Sequence, residues 1–285
     1  MSLHDGIEGF KQSMARRPVS DNTRKAFVGD LLIFERWVGG PCSLASIRED
    51  QLQAFLRHLE SSLHARSPKS VERRLTSLKV FFDWLTKAGA MAVNPADKIA
   101  YRPFADALPE YLTEAQAEQV VLAAGALAAG EKIEVRPLIA INLVLETGIK
   151  KGECMALTIE TVLWREASPN IQIRYAQKHL QYKNRVLSIS SRTATVIGDY
   201  VERFGVRDRL LDCTGRNLEY LFNRKVANAA GIESLTFEQL RWTCALREFR
   251  PGSFTDVQLQ HRYGLSAPAW AEMEHKLRRI MGAGN

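Results

Sequence analysis

The chain has 285 residues, and 39 Lys and Arg against 32 Asp and Glu give a net charge of 39 − 32 = +7 at pH 7. This length predicts about two domains, and 46% hydrophobic with 25% charged residues exclude a disordered or fibrous protein. No apolar run has the length of a membrane span or the position of a signal peptide, and the four cysteines lack the spacing of a zinc site.

The N-terminal third predicts a small bundle of helices. In residues 21–38, apolar side chains recur at i, i+4, i+7 and i+11 from Phe27, which is one stripe of an amphipathic helix. Residues 48–60 predict a second helix. Pro68 marks the start of a third, because proline is tolerated at the first helical position. We therefore predict a helical domain over residues 1–101.

The remainder predicts a linker and a second domain that is mainly helical around a small sheet. Residues 102–112 contain two prolines and little periodicity. Thr113 is a plausible N-cap, and the alternating segments 170–175 and 185–190 predict a β-hairpin with a long polar tip. Further helices are predicted at 136–146, 191–204, 216–230, 236–248, 255–263 and 268–281. The expected fold class is mainly α (α+β), with residues 113–285 as the second domain.

Positive charge is concentrated in one window of the first domain. Residues 64–79 contain five Lys or Arg and one acidic residue. A solvated helix face and a nucleic-acid contact are both compatible with this pattern, and the charge by itself does not choose between them.

Several phrases occur together in the order found in one family. Ser67-Pro-Lys-Ser-Val, Thr147-Gly-Ile-Lys-Lys-Gly-Glu, Leu235-Thr-Phe-Glu-Gln-Leu-Arg and Leu259-Gln-His-Arg-Tyr-Gly are spread over the chain. With them the chain resembles the tyrosine recombinases (phage integrase, Xer-like). The resemblance implies an N-terminal helical core-binding domain and a C-terminal domain of the recombinase catalytic type, helical with a small antiparallel sheet.

The chemistry of this family explains which residue types to look for. A tyrosine hydroxyl attacks a DNA phosphodiester and forms a covalent protein–DNA intermediate. Two arginines bind the phosphate oxygens, where charge builds up. A lysine on a β-hairpin protonates the leaving oxygen, and a histidine acts on the tyrosine proton.

Part of this set is retained. Arg241 aligns with the arginine of the family's His-x-x-Arg box, and His261 aligns with the later histidine. The hairpin lysine is assigned to Lys178, with Lys183 as the alternative because the tip is long.

The other positions carry different residues. Lys150 stands for the first arginine and keeps a positive charge without the planar fork. Glu238 stands for the box histidine. Trp270, nine residues after His261, stands for the nucleophile, and an indole has no nucleophilic oxygen. These three departures indicate a site that no longer cleaves DNA.

Tyr263 is the remaining alternative nucleophile near that position. It lies seven residues before Trp270, which is roughly 10 Å along a helix axis. That displacement is large against the ~3 Å approach that an attack needs. An active recombinase that uses Tyr263 or a partner-supplied nucleophile stays open as the second hypothesis.

The leading hypothesis is a sequence-specific, catalytically inactive DNA-binding protein that acts at repeated sites of a mobile element or plasmid, in an accessory, regulatory or replication and maintenance role. The expected partners are double-stranded DNA, a second copy bound through the segment Ala267–Ile280, and an active recombinase. A regulator that contacts only other proteins is the third hypothesis.

The DNA-contacting residues that the resemblance implies are Arg24, Lys25, Lys69, Arg73, Arg74, Lys79, Lys150, Lys178, Arg241 and His261. We expect no metal or other cofactor and no membrane, and a cytoplasmic, nucleoid-associated location.

Overall fold

A computed structural model describes residues 1–17, 19, 21–61, 67–101, 107–164, 168–250 and 253–282. The chain divides into two compact units, Met1–Asp106 and Ala107–Asn285. Of the predicted linker 102–112, residues 102–106 lie outside the described part, and residues 107–112 belong to the second unit. Within these ranges, no helix is both long and apolar enough to cross a membrane.

The described part of the first unit is a helical bundle. Its helices are α1 Leu3–Ala15, α2 Asp21–Val38, α3 Glu49–Ser61 and α4 Pro68–Lys87. The last three confirm the predicted helices, and Ser67 caps α4 through the backbone N–H of Ser70. No helix was predicted at the position of α1, although Ser2 and Asp5 form a capping box there.

Aromatic side chains fill the core of this bundle. Phe10 and Phe81 meet edge to face with ring centroids 5.5 Å apart, and Phe34 meets Phe55 at 5.1 Å. All four rings are fully buried. The apolar face of each helix therefore accounts for the packing of the unit.

A buried ion cluster joins α2 to α4. Asp30 lies in the interior and accepts two hydrogen bonds from the Arg73 guanidinium, at 2.5 and 2.8 Å. Ser77 Oγ donates to the same carboxylate at 2.8 Å, and Arg74 Nε lies 3.6 Å from it. Because both arginines face Asp30, this part of the basic window has a structural role in the bundle.

The described part of the second unit is helical around a three-stranded sheet, as predicted for the fold class. The helices are α5 Glu114–Ala129, α6 Arg136–Thr147, α7 Lys151–Cys154, α8 Ser191–Phe204, α9 Gly215–Leu221, α10 Asn228–Ala230, α11 Phe237–Glu248, α12 Asp256–Arg262 and α13 Ala267–Gly282. A π-helical segment, Phe222–Ala227, joins α9 to α10. α11 packs on α6, which is buried along most of its length.

The sheet is antiparallel in the order β1-β2-β3. β2 (Asn170–Ile173) pairs with β3 (Arg185–Ser188), with Ile171 opposite Leu187, which confirms the predicted hairpin. The tip contains a 3-10 helix, Lys178–Lys183. The two-residue strand β1 (Val162–Leu163) was not predicted, because two residues carry no readable alternation.

The C-terminal helices share a separate apolar cluster. α13 places Trp270, Met273 and Leu277 against residues of α11 and α12 from the same chain. Tyr263, which follows α12, is buried in this cluster. The helix that was expected to pair subunits thus packs against other helices of its own chain.

Candidate nucleic-acid interface

A sharp turn after α6 places the first candidate cation. Gly148 ends the helix in the left-handed conformation at φ +62°, which glycine adopts without strain. A Cβ at this position would lie 2.3 Å from the Tyr263 ring. Lys150 follows, half-buried, and its backbone N–H donates to Glu153 Oε2 at 2.9 Å. Both the conformation and the packing therefore require glycine before Lys150.

Arg241 provides a second cation, held from α11. Its side chain is 9% exposed, and Nε donates to the carbonyl of Gly148 at 3.0 Å. Its Nη2 atom is buried with no hydrogen-bond partner among the described residues. Since buried donors are almost always paired, this N–H group is a place where an anion can bind.

The charge of Arg241 acts on Lys150. Burial, and then the positive charge of Arg241, lowers the pKa of Lys150 to about 8, and Lys183 and Arg185 act in the same direction. A phosphate placed among these groups would reverse the effect, because it favours the charged amine. These cations therefore offer a suitable place for an anion to bind.

The hairpin tip presents its two candidate lysines differently. Lys178 is exposed at the start of the 3-10 helix. Lys183 is half-buried, with Nζ 5.8 Å from the centre of the Tyr175 ring, and its charge acts on Lys150. Of the two, Lys183 therefore lies with the cations of the site, and the assignment of Lys178 stays a prediction.

Glu238 adds a carboxylate at the edge of the cations. Its side chain is 64% exposed, and Oε1 lies 3.8 Å from Arg241 Nη1. The same oxygen accepts a hydrogen bond from Trp242 Nε1 at 2.9 Å. The position that a donor occupies in active recombinases, according to the resemblance, is thus held by an acceptor that competes for Arg241.

Neither candidate for the nucleophile position offers an accessible hydroxyl. Trp270 is buried against Phe249, and its indole N–H has no partner within the described ranges. Tyr263 is only 1% exposed, and its hydroxyl donates to Glu248 Oε2 at 2.8 Å. Burial, with the nearby Cys244 and Glu248, raises the pKa of Tyr263 well above its ordinary range. An attack by Tyr263 would require it to leave this cluster.

His261 lies in the last turn of α12 with an exposed side chain. His261 was predicted to contact DNA, and its exposure leaves it accessible to a ligand. Its predicted contact stays a prediction.

The basic residues predicted in the first unit fall into two groups. Lys25 and Lys69 are exposed. The others have partners inside the unit: Arg24 pairs with Asp21, Arg73 and Arg74 face Asp30, and Lys79 Nζ donates to the carbonyl of Asp97. Among these residues Arg74 is buried, so its guanidinium does not lie on the surface of the bundle. The predicted DNA contacts of these residues stay predictions.

A buried ion pair beneath the cations was missed by sequence reasoning. The Arg185 guanidinium bonds both carboxylate oxygens of Glu153, at 2.9 and 2.8 Å. Tyr175 Oη donates to Glu153 at 2.6 Å. Although burial by itself would raise it, the hydrogen bonds and charge of Arg185, with the Tyr175 hydroxyl, lower the pKa of the Glu153 carboxyl. Glu153 is part of the recombinase-like phrase that begins at Thr147. Its pairing with Arg185 is a tertiary contact, which the sequence pattern does not predict.

Comparisons with known proteins agree with this architecture. Residues 7–89 match the family model described as the phage integrase, N-terminal SAM-like domain. A tyrosine recombinase XerC from Mycobacterium sp. strain JLS is 30% identical over 163 residues, which cover 55% of this chain and 53% of that protein. A XerC from Roseiflexus castenholzii is 27% identical over 223 residues, covering 77% and 67% of the two chains. These matches show that parts of the chain are similar to tyrosine recombinases.

Solved structures of recombinases share the fold. A lambda integrase dimer bound to a COC' core site superposes with a TM-score of 0.73 at 15% identity, covering 95% of this chain and 77% of that chain. The XerH recombinase bound to a palindromic difH substrate gives 0.70 at 17% identity, with 92% and 78% covered. The sequence match to the Mycobacterium relative spans about half of that recombinase's length.

Proposed function

We propose that this protein binds duplex DNA at specific sites on a tyrosine recombinase scaffold and does not cleave it. The observation that carries the proposal is the state of the site in the second unit. Lys150, Lys183 and Arg241 form a partly buried cationic group, and Trp270 fills the position expected for the nucleophile. The site therefore keeps the cations that can bind a DNA phosphate, and it lacks the tyrosine that would attack it.

The chemistry of the cationic group suits a DNA phosphate. An arginine with one unpaired N–H and two nearby ammonium groups can bind several oxygens of one phosphate. Phosphate contacts fix the register of a protein on DNA, whereas side chains in the grooves read the sequence. The site therefore supplies anchoring, and specificity is assigned to other exposed residues.

Assembly on DNA belongs to the same proposal. Lambda integrase structures with this fold include a dimer on a core site and a tetramer on a Holliday junction. For this chain we propose pairing on repeated half-sites through α13, which would have to exchange its present partners for those of a neighbour. A cytoplasmic location with the nucleoid, and a role at a mobile element or plasmid, follow from the same resemblance.

The first test is DNA binding with its salt dependence. The purified protein is mixed with fragments of its host genome, retained fragments are sequenced, and the affinity for the enriched site is measured from 50 to 300 mM salt. Each neutralised phosphate contributes about −0.9 to the slope of log K against log salt. We expect a shared repeat, and a slope reduced by about 0.9 in Lys150→Ala or Lys183→Ala.

Lys132→Ala is the matched control, because this lysine is exposed on the loop between α5 and α6. It should leave the slope of the intact protein unchanged. Absence of any enriched fragment, or an affinity independent of salt, would contradict DNA binding and favour a regulator that contacts only proteins.

A further inference from the structure

One side chain in the second unit, Arg185 of β3, connects three elements of the candidate site. Its guanidinium is fully buried and bonds Glu153 through Nη1 and Nη2. Nη1 also donates to the carbonyl of Lys183 at 3.0 Å, and Nε donates to the carbonyl of Arg262 at 2.6 Å. α7, the hairpin tip and the end of α12 thus meet at one group.

Each of these contacts is adjacent to a residue of the site. Glu153 also accepts the backbone N–H of Lys150. The Lys183 carbonyl belongs to the lysine that lies with Lys150, and Arg262 directly follows His261 in sequence. Displacing the guanidinium would therefore disturb the backbone beside three residues of the candidate site.

Arg185 is not placed to contact DNA, because its side chain is fully buried. Four of its five N–H groups are already used by the four hydrogen bonds to Glu153, Lys183 and Arg262. A Cβ on Gly264 would lie 2.7 Å from Nη1, so the chain passes close to the guanidinium on that side too. Arg241, whose Nη2 has no partner among the described residues, is in the opposite situation.

The hairpin tip needs such an attachment. Most residues from Arg174 to Asn184 are exposed, so little apolar burial holds the tip in place. Besides the strand pairing, Asn184 Oδ1 accepts the Tyr175 backbone N–H at 2.8 Å. The contact of Arg185 with the Lys183 carbonyl fixes the base of the tip on the α7 side.

We propose that Arg185 is a positioning residue, which does not touch DNA but fixes Lys183 and Lys150 so that both bind the same phosphate. This role rests on the proposed function. A lysine at this position would keep the charge and lose the fork that reaches three acceptors at once. DNA binding should then weaken because Lys183 is no longer held, although its ammonium group is still present.

A double-mutant cycle on the enriched DNA site tests this role. Arg185→Lys should weaken binding roughly fivefold in the intact protein, and have less than about a twofold effect in a Lys183→Ala background. A purely structural defect would weaken both backgrounds equally. Arg203→Lys, an exposed arginine of α8, is the matched control and should change neither affinity.

Tyr175→Phe serves in the same cycle if Arg185→Lys does not fold. It removes the 2.6 Å hydrogen bond to Glu153 and keeps both the ring under Lys183 and the Arg185–Glu153 pair. Coupling to Lys183→Ala in either series supports the positioning role. Additive losses, or full affinity in both variants, would overturn it while DNA binding by the unmodified protein still stands. Failure of the unmodified protein to bind DNA would instead refute the proposed function.

Discussion

Trp270 and Tyr263, the two residues considered for the nucleophile position, are both packed in the interior of the second unit. Trp270 fills an apolar cluster, and Tyr263 donates its hydroxyl to Glu248 inside the same cluster. An indole cannot form a phosphodiester, and a buried tyrosine whose pKa is raised is a poor source of phenolate. The cations, by contrast, do not depend on the nucleophile, and so binding can persist without cleavage.

Because the pKa of Lys150 is lowered, we expect DNA binding to depend on pH. Burial and Arg241 lower its pKa to about 8 in the free protein, and a bound phosphate favours the charged form. Affinity is therefore full below pH 8 and falls as the pH rises above 8, by up to about tenfold per pH unit. Binding titrations between pH 7 and 9.5 at constant salt measure this.

Lys150→Arg provides the control for that titration, because a guanidinium stays charged over this range. The variant should bind with a nearly constant affinity. An equally steep fall in the variant would assign the pH dependence to another group.

We expect the protein to bind DNA more tightly when the charge of Glu238 is removed. Its carboxylate lies 3.8 Å from Arg241 Nη1 and competes with a phosphate for that group. Because its side chain is 64% exposed, solvent screens the interaction, which limits it to below about 1 kcal/mol. Glu238→Gln should therefore tighten binding roughly two- to fivefold.

Glu118→Gln, at an exposed site on α5, is the matched control and should leave affinity unchanged. Equal gains in both variants would mean that only the net charge matters. Weaker binding in Glu238→Gln would contradict competition at Arg241.

The candidate site residues Lys150, Arg241 and Trp270 were predicted from recombinase-like phrases, because those phrases are local in sequence. The structure brings Lys150 and Arg241 together, and the roles of all three residues stay predictions. Whether a basic residue is exposed depends on tertiary contacts, and so the burial of Arg74 and the ion pair of Arg185 were not predictable from spacing.

At the level of elements, periodicity predicted most helices to within one or two residues. α2, α4 and α8 match closely, because amphipathic stripes and caps are local signals. α1 was missed although its stripe of Leu3, Ile7, Phe10 and Met14 is regular. The short strand β1 depends on pairing with β2 and has no signal of its own.

The ion cluster between α2 and α4 predicts a large stability effect. Asp30→Asn keeps the shape of the side chain and removes the charge that the buried Arg74 and the half-exposed Arg73 face. Breaking a buried pair on one side costs about 3 kcal/mol of unfolding free energy. Urea unfolding, followed by hydrogen exchange of amides in α2 and α4, measures the loss.

Asp83→Asn is the comparison, because Asp83 makes an exposed i,i+4 pair with Lys87. It should cost less than about 0.5 kcal/mol. Similar stability of the two variants would show that the cluster does not hold α2 to α4.

At the scale of the whole molecule, the chain combines two compact units with the fold of recombinases that are solved on DNA. The charge of +7 is spread over the sequence, and the candidate site in the second unit brings Lys150, Lys183 and Arg241 together. Fold and site together lead to one expectation, which is specific and reversible DNA binding.

The most direct measurement separates reversible binding from covalent attachment. The protein is incubated with its enriched DNA site, and half of each sample is boiled in SDS before filtration. We predict that the DNA is retained in the native half and completely released after boiling. DNA that stays attached to the protein after boiling, and is released in Tyr263→Phe, would show a covalent intermediate and contradict the inactive site.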